Sequence, residues 1–157
     1  MNLLIEYLEN YDSNWGDLGY KHTDDSGFDL RAAITEPVIL KAGEHVIIPN
    51  GIKIEFDGEF PFGSDIGYEI QVRPRSGLAA KNGISVVNTP GTVDFGYRGE
   101  LKTILINLGK EDFTIMPGDR IAQAVVCPVL HPKIIKVNGV NTDTSRGGGG
   151  FGSTGKA

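Results

Sequence analysis

Cysteine is almost absent from this chain: Cys127 is the sole one among 157 residues. No disulfide can form within the chain, so the fold has to rest on an apolar core, and the composition suits a reducing compartment. Cys127 stands in the apolar run 124–129 and is expected to be buried. The three histidines, His22, His45 and His131, show no metal-ligand spacing, which argues against zinc chemistry. No Ser/His/Asp arrangement supports a serine hydrolase. Basic residues number 15 against 20 acidic ones, a net charge of −5. That balance disfavours a nucleic-acid or anionic-membrane surface. No apolar run approaches the ~20 residues that span a bilayer. The first eight residues carry Glu6 and no basic start, so no signal peptide is expected. A cytoplasmic protein with neither nucleic-acid nor membrane partners is the expectation.

Helical periodicity is scarce as well, and alternation of period two dominates. Ile52, Ile54 and Phe56 fall on one face while Lys53 and Glu55 fall on the other, and 68–73 repeats the pattern. Further strands are predicted at 3–6, 28–32, 38–40, 45–49, 84–87, 101–107, 121–126 and 134–137. Turn residues separate them, as at Asp57-Gly58, Pro90-Gly91, Met116-Pro117-Gly118 and Asn138-Gly139. One short helix is predicted over 76–81, with Ser76 as its N-cap. Many short, evenly spaced strands mean an all-β fold, a jelly roll or distorted β-barrel. The expected division is a β domain over 1–140 and a flexible glycine-rich C-terminal flap over 141–157. The role of the loop 57–67, rich in Gly and Phe, is not legible.

Five segments could carry chemistry. Asp24, Asp25 and Asp29 offer hard oxygen ligands for a divalent cation, or simply turn and cap chemistry. In Arg73-Pro74-Arg75-Ser76-Gly77-Leu78, an arginine precedes amides at a helix start, a phosphate site by geometry or a surface pair beside a turn. In 88–100, Asn88 and Pro90-Gly91 read as a hairpin tip. Asp94 lies between Val93 and Phe95, so its carboxylate is expected to be partly shielded and is a candidate base. Tyr97 is placed to offer its ring to a ligand, and the plainer alternative pairs Asp94 with Arg98 in a turn. In 118–123, Asp119 and Arg120 read as an ion pair, and Gln123 as a ligand amide. The run 146–155 is mostly glycine, whose backbone can close on an anion; Arg146, Ser153 and Thr154 add donors and Phe151 a ring. It imitates a Walker loop from Gly150 to Lys156, but Ala157 stands where the hydroxyl belongs.

In order, spacing and residue type, Ser26-Gly27-Phe28-Asp29-Leu30, Pro74-Arg75-Ser76-Gly77-Leu78, 88–100, 118–123 and 146–155 resemble the trimeric dUTPase family. The resemblance implies a homotrimer of β jelly rolls with sites shared between subunits. Its substrate would be dUTP, cleaved to dUMP and pyrophosphate with Mg2+, which keeps uracil out of DNA and supplies dUMP for thymidylate synthesis. By the same resemblance Asp94 activates the attacking water, and Asp29 orders waters around the magnesium. Tyr97 packs on the deoxyribose, and Asn88 with its surroundings, Gly91 and Val93 included, reads uracil. Arg75, Ser76, Gly77 and Gln123 contact phosphates. In the tail Arg146, Ser153 and Thr154 contact the γ-phosphate, while Phe151, followed by Gly152, stacks on uracil.

Two rival readings bear on particular residues. A deoxycytidine-nucleotide deaminase has a similar fold, but needs a glutamate on the strand after the tyrosine-bearing turn, where Ile104 stands. A nucleotide-sensing module without catalysis would be signalled by loss of Asp94 or the tail, and both are present.

Overall fold

A computed structural model describes residues 2–58, 66–150 and Ser153. Among them are eleven strands: β1 (Leu3–Tyr7), β2 (Phe28–Arg31), β3 (Val38–Leu40), β4 (His45–Pro49), β5 (Ile52–Phe56), β6 (Ile66–Pro74), β7 (Ile84–Val86), β8 (Gly91–Asp94), β9 (Lys102–Asn107), β10 (Phe113–Ile115) and β11 (Arg120–Leu130). A single α-helix, α1 (Ser76–Asn82), joins β6 to β7. The strands form sheets in the orders β2-β11-β6-β8, β4-β9-β7, β1-β5 and β10-β3. Every pairing is antiparallel. The result is jelly-roll-like, without closure into a barrel.

Alternation decides which side chains make the core. On β5, Ile52, Ile54 and Phe56 are buried while Glu55 is exposed. On β6, Ile70 and Val72 point inward, and Glu69, Gln71 and Arg73 take the outer face. These inward residues pack with Leu30 of β2, Ile48 of β4, Leu105 of β9 and Ile115 of β10, so all four sheets share one core. Each such side chain contributes roughly 1.5–3 kcal/mol by leaving water. On β11 the register with β2 shifts between Arg120 and Ala122. This bulge lets Ile121 and Ala122 both be buried while Arg120 stays outside, the re-aiming that bulges commonly produce.

Several sequence expectations need correction. The apolar stretch 134–137 is not a strand; Ile134 is 96% exposed, because no strand among the described residues pairs with it. Residues 88–91 do not tip a hairpin: β7 pairs with β9 and β8 with β6, so the turn carries the chain from one sheet to another. The N-cap of α1 is Arg75, in extended geometry, and Ser76 is already helical. Cys127 is half-buried on the outer face of β11, where it accepts a hydrogen bond from Arg73. Strands β8 and β10 were not anticipated.

Beneath the site a buried polar pair ties two sheets together. The Asn50 amide donates to the Arg31 carbonyl at 2.8 Å and accepts from the Thr103 hydroxyl at 3.0 Å. Both side chains are sequestered from solvent. Asn50→Ala leaves that carbonyl and hydroxyl without their partner, so it should lower unfolding free energy by about 1–3 kcal/mol. Urea denaturation checks this; an unchanged midpoint would mean that the pair is dispensable.

Candidate active site

Of the predicted phosphate and metal residues, Asp29, Arg75 and Gln123 converge on one cavity. It measures about 480 Å3, and Asp29, Arg75, Arg120 and Gln123 are on its wall, with Lys21 and His22 from the loop before β2. Strand β2 sets Asp29 directly across from Gln123 on β11, which in turn lies opposite Arg73 on β6. Gln123 donates to the Pro74 carbonyl at 3.0 Å, bracing the strand end from which Arg75 projects.

Asp29 is the electrostatic centre of this cavity. Its carboxylate accepts from Arg75 Nε at 2.8 Å and from an Arg120 guanidinium nitrogen at 3.3 Å. Arg75 also donates to the Arg120 carbonyl at 2.9 Å. Arg120 therefore pairs with Asp29 and not, as the sequence suggested, with Asp119. The Asp119 carboxylate instead accepts from the Met116 amide at 2.8 Å and closes the turn in which Gly118 has φ +81°. Arg120 is a site residue that sequence reasoning missed. Only the bulge, invisible in the sequence, turns it toward Asp29.

Ser76 and Gly77 open α1 and are exposed beside this cavity. A Cβ added at Gly77 would meet nothing within 4 Å. Internal packing therefore gives no reason for glycine there, and the open side is left to an external group. Asp25 is a turn clamp: its carboxylate accepts from the His22 amide at 2.9 Å and lies 3.2 Å from the His22 ring. The His22 backbone hydrogen bond, foremost among its contacts, holds the Asp25 carboxyl below its ordinary range.

Asp94 lies elsewhere, at the end of β8. The Tyr97 amide donates to the Asp94 carbonyl at 3.0 Å, closing a turn that sets both residues on one cavity of about 300 Å3. Phe95 anchors that turn by stacking on Phe56 at 5.2 Å. Arg98 donates to the Phe95 and Tyr97 carbonyls, and its salt bridge runs to Glu55. The expected alternative, Asp94 paired with Arg98, is not what forms. Nor is the carboxylate shielded: Asp94 is exposed. Strand alternation sends the apolar side chains of Val93 and Phe95 to the core face, away from it. The Tyr97 hydroxyl donates to the Glu100 carbonyl at 3.0 Å, which fixes the ring. Asn88 is exposed, with its amide against Gly91; Val93 is half-buried on the core.

The two halves are far apart within one chain. Asp94 lies opposite Glu69, and Gln123 opposite Arg73, on the two flanks of β6. Four residues along β6 and two strand spacings across it separate them by about 16 Å. The tail is a third, separate element. Arg146 donates to the Gly149 carbonyl at 2.9 Å, and the Ser153 amide to the Gly150 carbonyl at 3.0 Å, so these hydrogen bonds stay within the tail. Phe151, Gly152 and Thr154 lie outside the described residues.

Among the described residues no group of three His, Cys, Asp or Glu could hold a metal directly. The oxygen donors near Arg75 are single carboxylates, Asp29 foremost. That donor set suits Mg2+, which keeps several waters and binds through one or two carboxylates plus phosphate oxygens. It does not suit a metal caged by protein ligands alone. No helix among the described residues is long and apolar enough to cross a membrane.

Comparison with known proteins agrees with this geometry. The dUTPase family profile matches residues 13–155. The deoxyuridine 5'-triphosphate nucleotidohydrolase of Bdellovibrio bacteriovorus is 50% identical over 154 residues, covering 98% of this chain and 95% of that protein. Its counterpart in Treponema denticola is 51% identical over 138 residues, covering 88% and 90%. Among solved structures, the dUTPase of Staphylococcus bacteriophage 80alpha with dUPNHPP matches with TM-score 0.75 and 25% identity, over 99% of both chains. A dUTPase variant from phage phi11 of S. aureus, described with a structural Mg(II) ion, matches with TM-score 0.72 at 22% identity, over 89% of this chain and 99% of that one. With half of its residues shared across nearly its whole length, and with Asp29, Arg75, Asp94 and Gln123 each on a cavity wall, this chain belongs to the dUTPase family.

Proposed function

We propose that this protein hydrolyses dUTP to dUMP and pyrophosphate, with Asp94 as the base that activates water. The observation that carries this reading is the turn from Asp94 to Tyr97, which sets a carboxylate and a ring on one cavity wall. Asp94 takes a proton from the water as its oxygen bonds to the α-phosphorus. The bond from that phosphorus to the bridging oxygen breaks, and pyrophosphate leaves with the electron pair. Tyr97 packs on the deoxyribose, where its bulk excludes a 2′-hydroxyl. Asn88, Gly91 and Val93 read uracil from the adjoining turn. Ionised carboxylates are weak bases, so most of the acceleration comes from orientation and charge neutralisation.

On the phosphate side Arg75, Gln123 and the amides of Ser76 and Gly77 hold the chain of phosphates. Asp29 would hold Mg2+, which would supply charge neutralisation to the phosphates. Nucleotide binding then exchanges partners: Arg75 leaves Asp29 for phosphate. The tail, residues 141–157, closes over the nucleotide with Arg146, Ser153 and Thr154 on the γ-phosphate and Phe151 on uracil.

The separation of about 16 Å between Asp94 and Gln123 supports a site completed by other copies of the chain in a homotrimer. The apolar residues after β11 support it too, since Ile134, Ile135, Val137 and Val140 lie uncovered in one chain. Ile104 speaks against deamination. It shares the cavity wall with Asp94 and Tyr97, where a deaminase needs a glutamate and this chain offers only a hydrocarbon.

Asp94→Asn keeps the shape and loses the base, so kcat for dUTP should fall by at least about 100-fold while binding of a non-hydrolysable analogue persists. Turnover near wild type in that variant would remove Asp94 from the role. Deleting residues 146–157 should cripple turnover and leave the thermal melt unchanged; a fully active truncation sinks the flap. Light scattering should give three times the 16.9 kDa chain mass, and a fully active monomer contradicts the shared site.

A further inference from the structure

The charged groups around the phosphate cavity are almost all committed. Arg75 and Arg120 share the Asp29 carboxylate. Arg31 donates to the carbonyls of Gly118 and Trp15, at 2.9 and 3.2 Å, and so serves the fold. The His22 ring lies against Asp25. Lys21 is different: it lines the same cavity, and its ammonium forms no salt bridge among the described residues. Its backbone is nevertheless held. Asp25 accepts from the amide of His22, the next residue along, so the clamp that positions the loop also places Lys21 beside it at the cavity wall.

Arg75, Arg146 and one divalent ion together no more than match the charge of a triphosphate, beside the carboxylates of Asp29 and Asp17 on the same wall and in a chain whose own net charge is −5. A compact ammonium on a flexible stem is suited to phosphate oxygens as a point charge. We propose that Lys21 is a further substrate-binding residue, contacting the β- and γ-phosphates of the nucleotide and the pyrophosphate that leaves. The proposal rests on the reading that the triphosphate occupies the cavity of Asp29, Arg75 and Gln123. Lys21 acts on the polyphosphate end alone, remote from the nucleoside turn of Asp94 and Tyr97.

The test uses the full-length protein with Mg2+ and compares Lys21→Ala, Lys21→Glu and Lys21→Arg. For Lys21→Ala, KM for dUTP should rise about 3- to 10-fold with kcat within about two-fold, because one charge-assisted contact is lost. Lys21→Glu should raise it further, and Lys21→Arg should restore most of the affinity. Competitive inhibition by inorganic pyrophosphate should weaken in step, while inhibition by dUMP stays the same. The salt dependence of kcat/KM should become shallower in Lys21→Ala.

A wild-type KM in Lys21→Glu overturns the proposal. Equal weakening of dUMP and pyrophosphate inhibition overturns it as well, since that places the effect on the fold or the nucleoside end. Emission of the sole tryptophan, Trp15, shows whether each variant is folded. Should the wild-type protein fail to turn over dUTP, the hydrolase reading falls by itself. Calorimetric titration of Mg-pyrophosphate into wild type and Lys21→Glu then still decides Lys21, by tighter binding to wild type or by no difference.

Discussion

Strand β6 is hydrogen-bonded along both edges, and the geometry of the site depends on that. β11 pairs along the whole of its inner edge, from Ala122 opposite Pro74 to Leu130 opposite Ile66, while β8 pairs along the other. Backbone pairing of this kind allows little sliding: a slip of one residue would send Ile70 and Val72 to the surface and Gln71 into the core. With the register held, the places of Gln123 and Asp94 on the two flanks follow. Arg75 follows as well, since it emerges where β6 ends at Pro74. The outer face of β6 reinforces the arrangement. Arg73 donates to Gln71, and Gln71 to Glu69 at 2.7 Å, a polar ladder running between the two ends.

Charge supplies the second constraint. An acidic protein meets an acidic substrate, and two of its cavity cations, Arg75 and Arg120, share a carboxylate until something replaces it. Asp29 is central because its one carboxylate pairs with both Arg75 and Arg120. A fully buried ion network would resist exchange, but these side chains are between 29% and 45% exposed, where water eases a change of partners. In the proposed reading, a polyphosphate offers both arginines a new partner at once.

Much of this was legible in the sequence for a simple physical reason. Strands with one face in the core announce themselves by alternation, and 38–40, 45–49 and 52–56 lie where the pattern put them. Turns built on glycine did so too: Gly43, Gly51, Gly58 and Gly118 all have positive φ, a conformation that other residues resist. Elements stabilised by partners far away in sequence were harder. β8 begins with a glycine and is a strand only because β6 is there to pair with it. The stretch 134–137 carries strand-like residues but has no such neighbour among the described residues.

The site divides along the same line. The sequence by itself determined the all-β class and singled out Asp29, Arg75, Asp94, Tyr97 and Gln123 as candidates, because side-chain type and spacing along the chain are local properties. Tertiary structure alone decided that Asp29 and not Asp119 answers Arg120, that Asp25 clamps the loop of Lys21, and that Asp94 stands exposed. It alone separated Asp94 from Gln123 by the breadth of β6. Each of these turns on the register of strands distant in sequence, on a bulge, or on the face a side chain takes, and such facts exist only once the backbone has paired.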